Sequence, residues 1–228
     1  MKSVSLFSLL LGVIAGCSVH VIAQRTTPPE PPTSLKIETA AESADDFLGT
    51  LTENRYSNKF FGLELTIPED YTILNRAEIE VFVDAGVDLM KGDSQRNNKA
   101  FAEATANSVA LFMVAKLPPG SPGNAVLEIQ VRKQAPGVTA KMVLAESTKL
   151  MTGTSKSEVT ATLKDVQFGG RTFSGIEFET IVAGQKLKQQ LLMSIVRGYA
   201  FSIGLTYTTP SSMNAFDDVF KSIKFGSK

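Results

Sequence analysis

The sequence is short of the side chains that most catalytic mechanisms and transition-metal sites use. It has one cysteine, one histidine and no tryptophan among 228 residues. Cys17 and His20 both lie near the N-terminus, so the chain after residue 23 has no thiol and no imidazole. This excludes disulfide bonds, Ser–His–Asp and Cys–His mechanisms, and zinc, copper or haem sites that depend on His or Cys. No catalytic, cofactor-binding or metal-binding residue is assigned.

The chain also lacks an excess of charge of either sign. Lys plus Arg number 23, and Asp plus Glu number 23. Such a balance provides no overall field that would draw the protein onto nucleic acid or an anionic membrane. Two local basic spots, Arg132-Lys133 and Lys186 with Lys188, are interpreted as solvated surface. Nucleic acid is therefore not an expected partner.

The N-terminus predicts export. A basic start is followed by an apolar stretch over Val4–Gly16, which has the length of a signal-peptide core. It is too short to span a bilayer, which needs about 20 apolar residues. Residues 1–23 are predicted to be a signal peptide with two alternative processing sites. Processing at a lipobox that ends at Cys17 would leave that residue lipidated and anchor the protein, whereas Val21–Ala23 fits ordinary cleavage after Ala23.

A proline-rich tether is predicted to follow the signal. Four of the five residues from Pro28 to Pro32 are proline, which favours an extended, semi-rigid spacer over residues 24–52. A short helix is predicted around Ala41–Leu48. The remaining residues, 53–228, have the length of one domain.

The first half of this domain contains both the alternating pattern of strands and the apolar stripes of helices. Phe61–Ile67 alternates as a half-buried strand does. A helical stripe of apolar residues then runs from Ile79 to Met90, with Asn75 as N-cap and Gly92 as the stop. Glu78–Val83 also alternates, so a strand is the rival interpretation there. The further predicted elements are helices at Lys99–Thr105 and Val138–Met151, the latter closed by Gly153, and strands at Ser108–Leu117 and Ala125–Val131.

The last third predicts a four-strand antiparallel meander. Its strands are Val159–Phe168, Arg171–Val182, Lys186–Val196 and Tyr199–Thr208. Gly169-Gly170 is a two-residue hairpin turn, Ala183-Gly184 and Arg197-Gly198 are further turns, and Gly175 interrupts the alternation as at a bulge.

A final helix and a short strand complete the pattern. Met213, Phe216, Val219 and Phe220 are predicted to face inward from the helix as core, and Ile223 and Phe225 to form the last strand. The layer rule then predicts an α+β fold. It consists of an antiparallel sheet of about six or more strands, with helices packed on its faces.

Carboxylates are the remaining candidates for chemistry. Asp84 and Asp88 are spaced i, i+4 on the predicted helix, which is compatible with a hard-cation site or an acid–base pair, but a solvated helix face is the favoured interpretation. Glu177 and Glu179 share one face of a strand, which is compatible with a glycosidase-like pair. Cross-strand ion pairs with Lys186 and Lys188 are the favoured interpretation of that second pair.

The adjacent acids Asp217-Asp218 fall in the first turn of the last predicted helix. There the helix dipole stabilises negative charge and accounts for them.

Four segments carry a resemblance to a known family. The entry segment of PsbP-like proteins is resembled by YSNKFFGLELTIPEDYTIL. Their closing meander, final helix and last strand are resembled by GGRTFSGIEFET, GYAFSIGLTY and FDDVFKSIKF taken together. The resemblance covers roughly residues 56–225, with a long insertion in the middle. Tyr71 stands where that family usually has Trp. The layout is also similar to that of uncharacterised exported bacterial proteins.

The resemblance implies an α/β/α sandwich without enzymatic activity. Members of that family are mostly non-enzymatic subunits, assembly helpers or proteins of unknown role, and no catalytic residue carries over. We therefore expect an exported, non-enzymatic binding or assembly module of the cell envelope with a protein partner there. We expect the protein to attach to a membrane only through a lipid on Cys17. A carrier of a small apolar ligand is the alternative, and a carboxylate-dependent hydrolase a remote one.

Overall fold

The computed structural model describes residues 44–90, 95–118, 121, 123–154, 157–182 and 185–226. The predicted signal peptide, Cys17, Ala23, the proline tract, Gly92 and the Ala183-Gly184 turn lie outside the described residues. The helices are α1 (Ala44–Leu48), α2 (Arg76–Met90), α3 (Gln95–Ala106), α4 (Ala140–Thr154), α5 (Pro210–Asn214) and α6 (Asp217–Ser222). The strands are β1 (Thr50–Thr52), β2 (Arg55–Asn58), β3 (Leu63–Thr66), β4 (Thr72–Ile73), β5 (Val109–Ala115), β6 (Val126–Lys133), β7 (Ser157–Phe168), β8 (Arg171–Val182), β9 (Gln185–Val196), β10 (Tyr199–Tyr207) and β11 (Lys224–Phe225).

The strands form two sheets, and each strand pair within them is antiparallel. The large sheet has seven strands in the order β4-β5-β6-β10-β9-β8-β7, and the small one has four in the order β1-β2-β3-β11. The predicted α+β class and the C-terminal meander are confirmed. The second sheet was not predicted from the sequence.

Three layers result, because the large sheet is covered on both faces. One face packs against the small sheet together with α1, α5 and α6, through an apolar cluster that includes Leu63, Phe173, Phe201 and Phe216. The other face is covered by helices in two separate apolar clusters. One includes residues of α3 and α4, and the other includes residues of α2.

Helix α2 begins as the sequence predicts. The Glu78 backbone N–H donates to the Asn75 side chain at 3.1 Å, and the Glu78 carboxylate accepts from the Asn75 backbone N–H at 2.8 Å. This reciprocal pair is a capping box, which satisfies two backbone donors that the helix start would otherwise leave without partners. The rival strand interpretation of Glu78–Val83 is therefore wrong.

Two helix boundaries differ from the prediction. Helix α3 is longer than the predicted Lys99–Thr105, and Gly153 lies inside α4 instead of closing it. The Gly153 carbonyl accepts a hydrogen bond from the Asn97 side chain of α3 at 2.6 Å. A contact with a neighbouring helix thus accompanies the continuation of α4 past a residue of low helix propensity.

The meander contains the predicted turn but a different bulge. Gly169 and Gly170 have φ values of 50° and 78°, as a two-residue type I′ turn requires. Next to Gly175 the register changes, because Leu163 pairs with Gly175 but Val166 pairs with Phe173. The extra residue thus lies on β7, so the placement of the bulge at Gly175 itself is wrong.

Folded contacts begin before residue 53, the predicted start of the domain. Phe47 of α1 is only 2% exposed, and its ring lies 5.6 Å from that of Phe61 and 5.7 Å from that of Tyr199. Strand β1 pairs with β2 over three residues. Within the described part of the chain, no helix is long and apolar enough to cross a membrane.

Candidate functional site

A groove lies between the edge strand β7 and the C-terminal helices, on the face of the large sheet that carries the small sheet. Its volume is about 640 Å³. The apolar lining consists of Leu163, Val166, Phe168, Leu192, Met213, Phe220 and Ile223. Five of these side chains, all except Leu192 and Ile223, are only half-buried, so apolar surface remains accessible to a ligand.

The floor of the groove forms over Gly175 of β8. A Cβ at this position would lie 2.6 Å from Cδ2 of Leu192 and 3.1 Å from Cδ1 of Leu163. Because glycine has no side chain, these two leucines approach each other across β8. Residues from three strands thus contribute to one continuous apolar floor.

The opposite wall is formed by α5 and α6. The Phe220 ring stacks on that of Phe168 with centroids 5.3 Å apart and an interplanar angle of 23°. Phe216 and Val219 are fully buried, as predicted for the last helix. Met213 and Phe220 are not, which corrects the prediction that all four side chains are core. The structure also divides that helix into α5 and α6.

Charged side chains stand on both walls of the groove. Lys164 lies on the β7 wall, and Asp217 and Lys221 lie on the α6 wall. Lys221 donates to Asp218 at 3.0 Å, so its charge is compensated on its own helix. Among the residues that the structure describes, Lys164 and Asp217 form no ion pair. Asp217 and Asp218 occupy the first turn of α6, where the sequence analysis places them.

Glu177 lies beside the groove in a network of neutral donors, one of which, Gln190, lines the groove. Its carboxylate accepts from Tyr207 Oη at 2.7 Å, and from Gln190 Nε2 and Thr160 Oγ1 at 3.3 Å each. Burial favours a higher pKa of Glu177, but these hydrogen bonds and the charge of Lys188 outweigh it and lower the pKa below its ordinary value. Burial and the hydrogen bond to Glu177 raise the pKa of Tyr207. Glu177 is therefore an ionised, hydrogen-bonded carboxylate at neutral pH.

The neighbouring acid Glu179 is engaged elsewhere. Lys186 Nζ donates to its carboxylate at 2.7 Å, which is the cross-strand ion pair favoured by the sequence analysis. A glycosidase-like pair needs one carboxyl group with a raised pKa that donates a proton. Glu177, with its lowered pKa, does not meet that requirement.

The other sequence candidates do not converge on the groove. Asp84 is exposed on α2, and the side chain of Asp88 lies outside the described residues. Over the described ranges, no group of three or more His, Cys, Asp or Glu side chains is placed to hold a metal ion.

A row of polar side chains on β6 is buried, which was not predicted from the sequence. Glu128, Gln130 and Arg132 are 1%, 4% and 2% exposed and share the helix-covered face of the large sheet. The interpretation of Arg132 as solvated surface is therefore wrong, whereas Lys133 is exposed. Burial raises the pKa of Glu128 to about 8, although a hydrogen bond from Gln130 Nε2 opposes the shift. This row lies on the opposite face of the sheet from the groove.

Comparison with known proteins finds similar folds. No family model and no curated protein matches the chain. A solved structure of LpqN, involved in cell envelope biogenesis of Mycobacterium tuberculosis, is 12% identical over 71% of this chain and 82% of that chain, with a TM-score of 0.42. Cyanobacterial PsbP (CyanoP) from Synechocystis is 14% identical over 78% and 96%, with a TM-score of 0.48. The immunity protein TplEi from Pseudomonas aeruginosa, solved with a peptide, is 11% identical over 75% and 97%, with a TM-score of 0.42. These alignments do not show membership of the PsbP-like family.

Proposed function

We propose that this protein is an exported, non-enzymatic binding module of the cell envelope, and that the groove between β7 and α6 is its binding surface. The observation that supports this proposal is the cluster of half-buried apolar side chains along the groove. A concave, mostly apolar surface with a few polar groups is typical of a ligand site. Export is supported by the apolar N-terminal stretch and its two processing sites.

Binding fits the groove better than catalysis does. Its lining offers Lys, Asp and Gln but neither a thiol nor an imidazole, and the adjacent Glu177 already accepts three hydrogen bonds. A carboxylate held in this way is a poor general acid, because its proton is lost well below neutral pH. We therefore place the remote hydrolase alternative last.

The size of the groove favours a small apolar ligand as its occupant. About 640 Å³ falls within the roughly 300–1,000 Å³ of sites that bind small molecules. Of the two occupants that the sequence leaves open, a protein partner and a small apolar ligand, the dimensions favour the second. Carriage of such a ligand is thus the more specific form of the proposed function.

A dye-binding experiment with a matched pair of variants tests this proposal. Val166→Trp fills the groove, whereas Val159→Trp places the same side chain on the same strand outside it, at a valine that is 39% exposed. We expect Nile red to bind the wild type and Val159→Trp with similar affinity, and Val166→Trp at least tenfold more weakly. Far-UV circular dichroism checks that both variants fold. Equal binding by both variants would rule out the groove as the binding surface.

The processing of the N-terminus is tested by the intact mass of the protein from its native host. Cleavage after Ala23 leaves a chain that begins at Gln24, and lipobox processing leaves an acylated Cys17. We expect one of these two masses. Recovery of the unprocessed chain with Met1 as its only form would contradict export.

A further inference from the structure

We infer that the groove holds a single-chain amphipathic lipid with a zwitterionic headgroup, the phosphate beside Lys164 and the ammonium beside Asp217. This inference rests on the proposed function, since it names the ligand class for the same groove. It follows from the order of apolar and charged side chains along the two walls.

The contacts place Lys164 and Asp217 relative to the stacked rings of Phe168 and Phe220. On the helical wall, Met213 Sδ accepts from Gln190 Nε2 at 3.4 Å at one end, and Phe220 stacks on Phe168 at the other. Asp217 lies between Met213 and Phe220 in the chain. On the strand wall, Lys164 lies between Thr160, which binds Glu177, and Phe168. Lys164 and Asp217 therefore lie between Glu177 and the stacked phenylalanine rings, about midway along each wall. Lys221, whose charge Asp218 compensates, lies next to Phe220.

The part of the groove between Lys164 and the stacked rings suits a linear aliphatic chain. From Lys164 to Phe168 the strand covers roughly 13 Å at about 3.3 Å per residue. Val166, Phe168, Phe220 and Ile223 supply apolar surface there, and the polar Gln167 and Lys221 also line it. A surface of this length accommodates one extended chain that starts beside Lys164 and ends against the stacked rings.

The charges select the headgroup. Lys164 and Asp217 have opposite signs, stand on opposite walls and form no ion pair within the described residues. A purely anionic headgroup would be repelled by Asp217, and a purely cationic one would be repelled by Lys164. A headgroup that carries both charges satisfies both walls.

Displacement of Nile red by three amphipaths of equal chain length tests this ligand class. The probes are lysophosphatidylethanolamine, the corresponding fatty acid and an alkyltrimethylammonium, each below its micellar concentration. We expect the zwitterionic lysolipid to displace the dye at a concentration at least fivefold lower than either of the others. Because both charges are exposed to solvent, we expect the preference to shrink at high salt.

Charge variants connect the preference to the two residues. Lys164→Gln and Asp217→Asn should each weaken lysolipid binding severalfold, and the double variant should bind all three amphipaths about equally. Lys133→Gln and Asp84→Asn, which change exposed charges outside the groove, should leave the preference intact. A double variant that keeps the full preference would overturn the assignment of the headgroup.

The outcomes separate this inference from the proposed function. If Val166→Trp loses the dye but the fatty acid or the ammonium compound competes as well as the lysolipid, the groove is a binding surface and the zwitterionic class is wrong. If a short extended apolar peptide displaces the dye better than every amphipath, the occupant is a protein segment. If Val166→Trp binds the dye normally, both proposals fail.

Discussion

One face of the seven-stranded sheet packs on a second sheet, whereas the other is covered by helices. The first face packs on the small sheet through a largely aromatic cluster, in which Phe61, Phe173, Phe201 and Phe225 make edge or tilted contacts. The second face carries two apolar clusters and, on β6, the buried polar row of Glu128, Gln130 and Arg132. The first interface also carries the open groove at its β7 edge.

The largest expected effect comes from truncation of the first face. Phe201→Ala removes a fully buried ring from the sheet–sheet interface, and we expect a loss of about 3–5 kcal/mol in the free energy of unfolding. Ser202→Ala changes the next residue, which faces the helices and donates to the Gln130 carbonyl at 3.3 Å. That change should cost only about 1 kcal/mol. Urea unfolding of both variants measures the difference, and equal losses would remove the contrast between the faces.

The second largest effect concerns the buried acid of the helix-covered face. Glu128 has a folded pKa of about 8 against an ordinary value of 4.5, so the folded state binds the proton more tightly than the unfolded state does. Stability therefore falls as pH rises from about 4.5 to about 8, by at most about 1.4 kcal/mol per pH unit from this group. Glu128→Gln, which cannot ionise, should remove this dependence and be more stable than the wild type at pH 8.

Urea midpoints at pH 5 and pH 8 measure this change. Asp84→Asn, at an exposed position of α2, serves as the control and should follow the wild type. A Glu128→Gln variant that loses as much stability between the two pH values as the wild type would show that Glu128 does not titrate in this way.

A smaller effect is expected at the floor of the groove. Gly175→Ala places a Cβ against the ends of Leu192 and Leu163, and overpacking of this kind costs about 1–3 kcal/mol. Leu192→Ala in the same chain should relieve part of the clash, so the double variant should be more stable than the sum of the two single losses predicts. If urea unfolding shows that the double variant loses as much stability as the two single variants together, the contact between residue 175 and Leu192 is contradicted.

The smallest effect is expected at the start of α2 on the helix-covered face. Asn75→Ala removes the side-chain half of the capping box and should cost about 1 kcal/mol. Asn75→Asp keeps an acceptor at the same position and should restore most of the loss. Thermal unfolding followed by circular dichroism distinguishes the two variants, and identical transition temperatures would argue against the cap.

Sequence reasoning predicted the elements that local signals specify. Asn75 with Glu78 marks a helix start, and Gly169-Gly170 marks a hairpin, because caps and turns depend on a few neighbouring residues. Two strands of the small sheet were predicted, within Phe61–Ile67 and at Ile223 and Phe225, but the sheet itself was missed. Its strands are only two to four residues long, and β11 pairs with β3 across most of the domain, which no local pattern records. The groove was missed as well, because its lining comes from segments as far apart in the chain as Leu163 and Ile223.

Glu128 and Arg132 illustrate a second kind of miss. Their alternation with Leu127, Ile129 and Val131 is typical of a strand with one solvated face. The helices cover that face, so the polar positions are buried. Whether other elements cover a face of the sheet depends on residues distant in the sequence, so alternation along one strand does not predict it.

The sequence by itself determined the order of the meander strands, the start of α2 and the absence of thiol and imidazole chemistry after residue 23. Each of these depends on residue identity or on contacts within a few positions of the chain. The tertiary structure alone decided that Glu128 is buried, that Glu177 is hydrogen-bonded while Glu179 is ion-paired, and that Met213 and Phe220 line a groove. These outcomes depend on long-range packing, which sets the solvent exposure and the partner of each side chain.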